Sequence, residues 1–403
     1  MGRFRRLEDL DAVGLLKGGN VLVRIDLNVP LKDGRIADAT RIERSLATLN
    51  ELASRGAKSI VVAHFDRPKG KRVASMSLGP VAKALGEHLK RPVAFAEDCI
   101  GGAAEEAVAA LGPGEVLVLE NTRFHAGEEA NDPDFAKALA RHGDAFVSDA
   151  FSCAHRAHAS TVGIARLLPS AAGRAMEAEL DALSSVLDAP ERPLAALVGG
   201  SKISTKLDLL RNLVAKVDVL VIGGGMANTF LAAQGIDVGR SMHEADLLPT
   251  AREILKRAQA VGCDIVLPKD VVLAREVKAN AATRVAQADE TGADEMILDV
   301  GAASLAAIEE KLSRCRTIVW NGPLGVFEVE PFGRGTFETA RFVAERVADG
   351  ELVAVAGGGD TAAALGAAGV ADGFTYVSTA GGAFLEWLEG KALPGVEVLC
   401  EPR

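Results

Sequence analysis

Short apolar runs alternate with amphipathic stretches along most of the chain. In the first half, runs rich in Val, Ile and Leu predict strands at residues 21–26, 59–64, 92–95, 116–120 and 145–149. The stretches between them have helical periodicity, which predicts βαβ units and a parallel sheet. The alternation repeats in the second half up to about Glu389. The pattern therefore predicts an α/β protein with two Rossmann-like, doubly wound parallel-sheet domains.

One amphipathic helix is expected between the two halves, over residues 174–188. Its apolar positions fall at helical spacing, at Met176, Leu180, Leu183 and Leu187. Pro190 and Pro193 follow and end the helical pattern. We expect this helix to connect a domain at 1–173 to a domain at 189–390, with a hinge.

Composition narrows the class of protein. The 403 residues are long enough for two separate cores, and a net charge of −10 argues against nucleic-acid partners and a basic membrane face. The five cysteines show no metal-ligand spacing, and the odd count suits reduced thiols. There is no signal-peptide pattern and no apolar run long enough to span a bilayer, so we expect a cytoplasmic protein.

Polar and basic residues follow the predicted strands of the first half. They are Asp26, Asn28, His64, Arg67, Arg123, His155, Arg156 and His158. The carboxyl ends of parallel strands share one edge, so these residues are expected to converge there with Arg41 and bind a small molecule with two or more negative charges. Any single arginine can instead be a solvated surface charge. His155 and His158 can share a metal such as zinc, although no third ligand is evident.

Glycine-rich turns follow the strands of the second half, at residues 199–200, 223–225, 322 and 357–359. Such turns before a helix expose amides that bind phosphate, and several at one sheet edge indicate a nucleotide site. Asp360 and Thr361 offer a carboxylate and a hydroxyl suited to Mg²⁺. Three glycines taken alone are more often only a tight turn.

Two lysines and one acid complete the candidate nucleotide site. Lys202 and Lys206 are four residues apart and are expected to share a helix face, with Lys202 in the first helical turn near a bound phosphate. Glu328 ends a rigid loop and can accept bonds from ribose hydroxyls. Each of the three can equally be an ordinary solvated side chain.

Several other classes of enzyme are disfavoured by missing motifs. The chain has no G-x-x-x-x-G-K-[ST], no G-x-G-x-x-G opening a first βα unit, no protein-kinase motif set and no G-x-S-x-G elbow. An anion-binding lobe facing a nucleotide lobe suits phosphoryl transfer, in which catalysis is mostly alignment and charge neutralisation. A nicotinamide-dependent dehydrogenase and a sensor that closes on its ligand without chemistry are the alternatives.

The order of these motifs resembles that of the phosphoglycerate kinases over essentially the whole chain. In the first half the resemblance lies in VLVRIDLNVPL at 21–31, LENTRFH at 119–125 and the motif at 149–158. In the second half it lies in GGSK at 199–202, GGGMA at 223–227, NGP at 321–323, GGGDT at 357–361 and LEGKALPGV at 388–396.

The resemblance implies reversible transfer of the acyl phosphate of 1,3-bisphosphoglycerate to MgADP, giving 3-phosphoglycerate and ATP in a monomeric, glycolytic enzyme. It implies that the first domain binds phosphoglycerate and the second the nucleotide, with a tail at about 391–403 returning to the first. The expected substrate-binding residues are Asp26, Asn28, Arg41, His64, Arg67, Arg123, His155 and Arg156. The expected catalytic residues are Arg41, Lys202, Gly358, Gly381 and Gly382. The expected nucleotide-binding residues are Lys202, Lys206, Gly223, Gly224, Asn321, Pro323, Glu328, Gly357, Gly358, Gly359, Asp360 and Thr361, with Asp360 at the magnesium ion.

The chain departs from the family pattern at four positions. Asp66 and Ala380 stand where the family usually has Gly, Phe384 where it has Ser, and Ser148 where it has Asn. An acid at position 66 is expected to repel an anionic ligand of Arg67, unless its side chain turns outward or pairs with Lys69 or Arg67. A methyl group at position 380 can restrict the backbone, so Gly381 and Gly382 are the preferred assignments there. None of these departures touches the residues that carry charge in the transfer, so the activity is expected to survive.

Overall fold

A computed structural model describes residues 3–32 and 35–400, and it has the α/β architecture that the sequence predicts. The chain divides into two compact units: unit 1 runs to Leu180 and includes the segment from Ala392, and unit 2 is Asp181–Lys391. The ends of the domain expected at 1–173 and of the tail expected at 391–403 include residues outside the described ranges. No helix among the described residues is long and apolar enough to cross a membrane.

Unit 1 is built on a six-stranded parallel sheet in the order β5-β6-β4-β1-β7-β8. Its strands are β1 (Asn20–Arg24), β4 (Lys58–Val62), β5 (Val93–Ala96), β6 (Val116–Leu119), β7 (Ala145–Ser148) and β8 (Ser170–Ala172). A short antiparallel pair lies outside this sheet, β2 (Leu31–Lys32) with β3 (Arg35–Ile36). The central strands are buried along nearly their whole length, as in parallel sheets covered on both faces.

The helices of unit 1 bury apolar side chains, and the first three of them share one core cluster with the sheet. The helices of this unit are α1 (Leu7–Ala12), α2 (Thr40–Ser54), α3 (Gly79–Leu89), α4 (Gly102–Ala109), α5 (Pro133–Ala140), α6 (Ile164–Leu167), the first part of α7 (Arg174–Leu187) and α15 (Pro394–Cys400). The buried carboxylate of Asp149 accepts hydrogen bonds from the backbone N–H groups of Ala175 and Met176, so it caps α7. Gly395 donates its backbone N–H to the Ala154 carbonyl and ties the tail helix into unit 1.

Unit 2 contains a second six-stranded parallel sheet in the order β11-β10-β9-β15-β16-β17. Its strands are β9 (Leu194–Val198), β10 (Val219–Ile222), β11 (Asp264–Val266), β15 (Thr317–Asn321), β16 (Val353–Gly357) and β17 (Tyr376–Ser378). Its helices are α8 (Leu207–Val214), α9 (Gly224–Ala233), α10 (Leu248–Val261), α11 (Ala302–Leu312), α12 (Arg334–Ala348), α13 (Gly359–Ala367) and α14 (Gly381–Leu388).

The βα alternation expected up to about Glu389 is confirmed for this six-stranded sheet but does not cover every strand of unit 2. An antiparallel sheet of three strands interrupts it: β12 (Asp270–Ala274), β13 (Arg284–Gln287) and β14 (Met296–Val300). Between β11 and β12 the chain has only residues 267–269, which is too short for the crossover that a parallel neighbour needs. The chain therefore starts a separate sheet.

Candidate active site

Arg41 lies in the first turn of α2 in unit 1, and its guanidinium is held in place by an acid. The Asp38 carboxylate accepts hydrogen bonds from the Thr40 backbone N–H and hydroxyl, which fixes the start of the helix. Arg41 Nη1 donates to Asp26 Oδ2 at 2.8 Å, and the Ser152 hydroxyl donates to the same oxygen at 2.6 Å. Three segments distant in sequence therefore meet at Asp26, just beyond the end of β1.

His64 follows β4 and contacts Arg24, a buried arginine at the end of β1. Arg24 Nη2 lies 2.8 Å from His64 Nδ1, and because a guanidinium can only donate, Nδ1 accepts. Burial, reinforced by the charges of Arg24 and Arg123, holds the pKa of His64 well below its ordinary value. The neutral ring therefore carries its proton on Nε2, which is left as a donor.

Asn28, Asp66 and Arg123 meet in the loop after β4. Asn28 Oδ1 accepts from the Asp66 backbone N–H at 2.8 Å, and Arg123 Nη1 donates to the Asp66 carbonyl at 2.8 Å. Asp66 has φ +53°, in the left-handed region that favours glycine and that aspartate tolerates better than most residues. Two expected substrate ligands therefore hold the Asp66 backbone in place.

The remaining basic residues of unit 1 differ in exposure. Arg67 and Arg156 are exposed and His155 is half-buried. His158 does not form a metal cluster with His155, because the only group of three suitable ligands among residues 3–32 and 35–400 lies elsewhere. Burial, with the charges of Arg123 and Arg24, lowers the pKa of His158 to about 4.

Sequence reasoning missed Arg24 and Ser152 as supports of this patch. A charged residue within an apolar run was the sequence signal that could have identified Arg24 as functional. In the structure Arg24 also donates a hydrogen bond to the Ser160 hydroxyl at 3.0 Å. Ser152 belongs to the 149–158 motif but had no distinguishing feature in the sequence. Both residues act through the side chains they touch, His64 and Asp26.

In unit 2, glycines let the loops after β9, β10 and β15 approach one another at backbone distance. A Cβ on Gly199 would lie 1.8 Å from the Pro323 carbonyl oxygen, and one on Gly223 would lie 2.6 Å from the Leu324 side chain. Gly322 has φ +101°, and a Cβ there would lie 2.2 Å from the Gly199 oxygen. Larger residues at these positions would force the loops apart.

Lys206 lies at the centre of these loops. Its ammonium donates to the backbone oxygens of Gly199 at 2.6 Å and Asn321 at 3.1 Å. Burial lowers its pKa to about 8, while the nearby charge of Asp360 opposes the shift. An anion bound here would face a desolvated ammonium.

Lys202 is placed differently from what the sequence predicted. Helix α8 begins at Leu207, so Lys202 lies in an exposed turn before the helix and does not share a helical face with Lys206. The Glu244 carboxylate accepts hydrogen bonds from the backbone N–H and hydroxyl of Ser204, which holds the turn in a non-helical conformation.

The start of α13 lies against the start of α14. A Cβ on Gly381 would lie 3.9 Å from the backbone nitrogen of Gly359 and 4.0 Å from Gly358 Cα. The Asn321 amide donates to the Gly357 carbonyl at 2.7 Å, and the Thr361 hydroxyl donates to that carbonyl and accepts from the Gly322 N–H. Thr361 therefore links two loops of the site. Gly382 occupies the first turn of α14 beside Gly381.

A pocket of about 620 Å³ lies in unit 2 beside these elements. Gly200, Ser201 and Asp360 line one part of it, and apolar side chains, among them Met242, Val277 and Leu298, line another. Gly224, Pro323 and the exposed Glu328 also border it. A cavity with glycine backbone on one side and apolar side chains on the other suits a phosphate chain joined to a flat base.

The family model for phosphoglycerate kinase matches residues 8–391. The chain belongs to the phosphoglycerate kinase family. It is therefore a phosphotransferase with a carboxyl group as acceptor.

Relatives and solved structures of the family match over nearly the full length. A phosphoglycerate kinase of Methylorubrum extorquens (strain PA1) is 60% identical over 399 residues, 99% of each chain. One from Sinorhizobium medicae (strain WSM419) is 60% identical over 400 residues, 99% of this chain and 100% of its own. The phosphoglycerate kinase structure from Coxiella burnetii has a TM-score of 0.90 at 41% identity, covering 98% of this chain and 99% of its own. That from Pyrococcus horikoshii OT3 has a TM-score of 0.82 at 32% identity, covering 98% of both.

Two departures from the family pattern have a structural counterpart. Phe384 is fully buried under Gly357, where a Cβ would lie 2.6 Å from its ring, so the aromatic ring packs directly on the glycine backbone. Ala380 precedes α14 with φ −91°, which a residue with a Cβ adopts without strain. The methyl group at position 380 therefore does not restrict the backbone in the way that the sequence suggested.

Proposed function

We propose that this phosphotransferase moves the acyl phosphate of 1,3-bisphosphoglycerate to MgADP by direct in-line transfer, and runs the same step in reverse. The observation that carries the mechanism is the guanidinium of Arg41, held by Asp26 at the start of α2. A group fixed in this way can neutralise charge that develops on the transferring phosphoryl group without reorganising. Its family membership supports the choice of substrates.

The substrate site lies on unit 1. Arg67, Arg123, His155 and Arg156 bind the carboxylate and phosphate groups of phosphoglycerate, and Asn28 and the Nε2–H of His64 position it. Asp26 binds a hydroxyl group of the substrate while it orients Arg41. Planar guanidinium groups suit this role because they bind carboxylate and phosphate with two parallel hydrogen bonds.

The nucleotide site lies on unit 2, in the pocket beside Lys206. The loops that surround the phosphates contain Gly223, Gly224, Asn321, Pro323 and the 357–359 turn. Lys206 and Lys202 supply positive charge, and the Glu328 carboxylate accepts hydrogen bonds from the ribose hydroxyls. Gly358, Gly381 and Gly382 present backbone amides at the starts of α13 and α14, where an anion is favoured. Thr361 keeps this turn attached to Gly322.

Magnesium suits the same part of the pocket. Asp360 is an exposed carboxylate in the first turn of α13 and lines the same pocket as Gly200. Mg²⁺ is commonly bound through one or two carboxylates together with substrate phosphates, so one carboxylate here fits the ion. When bound, the ion would neutralise phosphate charge, and Asp360 would hold it.

An acyl phosphate hydrolyses if water reaches it, so the proposal includes a hinge closure that excludes water during transfer. We further propose that the enzyme works as a monomer in the cytoplasm. Small-angle scattering with and without both ligands tests the closure, and the radius of gyration should fall only when both are present. An unchanged radius would count against the hinge.

The reaction itself is tested by ATP formation from MgADP and 1,3-bisphosphoglycerate. Steady turnover is the expected result. Binding of both ligands without turnover would contradict the proposed transfer.

A further inference from the structure

Three potential metal ligands lie together in unit 1, outside the residues proposed for phosphoryl transfer. Asp98 and Cys99 belong to the loop after β5, and His125 follows β6. One ligand atom from each lies within 4.8 Å of the other two. The sequence showed no metal-ligand spacing here because two separate loops supply the ligands.

Hydrogen bonds hold this group in place without a metal. Asp98 Oδ1 accepts from His125 Nε2 at 2.7 Å and from the Cys99 backbone N–H at 2.7 Å. The His125 ring stacks on Phe135 with centroids 5.1 Å apart, which limits its rotation. Cys99 is completely buried, whereas the side chains of Asp98 and His125 are 41% and 29% exposed. A cation can therefore reach the group from the solvent side.

We propose that Asp98, Cys99 and His125 bind a zinc-type divalent cation, with a water molecule as fourth ligand. A thiolate, an imidazole and a carboxylate are ligands that zinc accepts, while Mg²⁺ and Ca²⁺ prefer oxygen alone. Bonds of about 2.0–2.3 Å place the ligands of a tetrahedral ion about 3.3–3.7 Å apart. The cation must then replace the 2.7 Å hydrogen bond between Asp98 and His125, and these two partly exposed side chains can move to accommodate it.

Cation binding displaces protons from two of the three ligands. The Cys99 thiol loses its proton to solvent, and His125 Nε2 gives up its proton so that it can bind the cation.

Cobalt(II) added to the full-length protein tests the site, because it substitutes for zinc and reports its ligands by absorption. The expected result is a thiolate-to-cobalt charge-transfer band with tetrahedral d–d bands, all removed by zinc. The Cys99→Ser variant should lose the charge-transfer band. Cys263→Ser, which changes a buried cysteine of unit 2, should keep it.

A second variant keeps the test decisive if Cys99→Ser does not fold. His125→Gln changes a partly exposed side chain and should weaken cobalt binding at least about tenfold, since one of three protein ligands is lost. The proposal would be overturned if the wild-type protein gave no thiolate–cobalt band at millimolar cobalt. It would also be overturned if Cys99→Ser or His125→Gln bound cobalt as wild type does.

Discussion

The side chains at the edge of the unit 1 sheet bind one another as well as a prospective ligand. Asp26 accepts from Arg41 and Ser152, and Asn28 accepts from the backbone of Asp66. The sequence indicated which residue types gather at this edge, because strand order brings the strand ends together. It could not indicate the supports, because Ser152 and the buried Arg24 act through partners distant in sequence.

Asp66 places a negative charge beside the expected ligands of an anionic substrate. Asp66→Asn removes the charge and keeps a residue that tolerates φ +53°. We expect the KM for 3-phosphoglycerate to fall about two- to fivefold at low salt, and the effect to fade as salt screens the charge. Initial rates at several salt concentrations measure this.

Two further variants separate charge from conformation at position 66. Asp134→Asn, on the exposed face of α5, should leave the KM unchanged. Asp66→Ala should lower the free energy of unfolding by about 1–2 kcal/mol, because alanine is strained in the left-handed region. An Asp66→Asn variant with the wild-type KM at every salt concentration would contradict the proposed repulsion.

The lowered pKa of Lys206 leads us to expect that nucleotide binding depends on pH. Its pKa is lowered to about 8 by burial, so the free protein carries this charge below about pH 8 and loses it above. An anion binds the charged form better, so ADP affinity should fall as pH rises through 8, by up to about tenfold per unit. Isothermal titration calorimetry from pH 7 to 9.5 measures it. Lys206→Gln should bind weakly and without this dependence, and a wild-type affinity that stays flat over the range would count against the role.

At the scale of elements, the packing of β16 on α14 depends on one pair of residues. Gly357→Ala would place a Cβ 2.6 Å from the Phe384 ring, and overpacking of this kind costs about 1–3 kcal/mol. In a Phe384→Leu background the smaller side chain makes room, so the same substitution should cost less. Urea unfolding of the four proteins gives the coupling, which we expect to be on the order of 1 kcal/mol.

Gly366→Ala provides the control for that cycle. Gly366 lies within α13, and nothing lies within 4 Å of the position its Cβ would take. Alanine there should stabilise the protein by up to about 1 kcal/mol in either background, because alanine is the better helix former. If Gly357→Ala lowered the free energy of unfolding by the same amount with Phe384 as with Leu at that position, the predicted contact would not govern the packing.

The elements also show where sequence patterns mislead. The first-half strands end one or two residues earlier than the apolar runs, at Arg24, Val62, Leu119 and Ser148, apart from β5, which extends one residue further. The residues beyond these ends, such as Asp26 and Asp149, use their side chains to accept hydrogen bonds from backbone N–H groups. The start of α8 was missed because the contact of Ser204 with Glu244 is not local.

At the scale of the whole molecule, periodicity was sufficient to predict the α/β class and two parallel sheets. Periodicity did not distinguish the antiparallel strands β12, β13 and β14 from the parallel ones. The reason is that β12 is as apolar as a parallel strand, and the sequence signal against parallel pairing is its short connection from β11. Periodicity also did not indicate that the tail belongs to unit 1, where Arg5 donates to the Val398 carbonyl at 2.8 Å. That expectation came from the family resemblance alone.

The most direct test compares Arg41→Ala with wild type in ATP formation from MgADP and 1,3-bisphosphoglycerate. Because the proposed contact of Arg41 forms mainly in the transition state, kcat should fall about 10²–10³-fold while ligand binding changes far less. Arg166→Ala, which removes an exposed arginine of α6, should behave as wild type. Near-normal turnover of Arg41→Ala would contradict the account, because the transferring phosphoryl group would then be neutralised by something else.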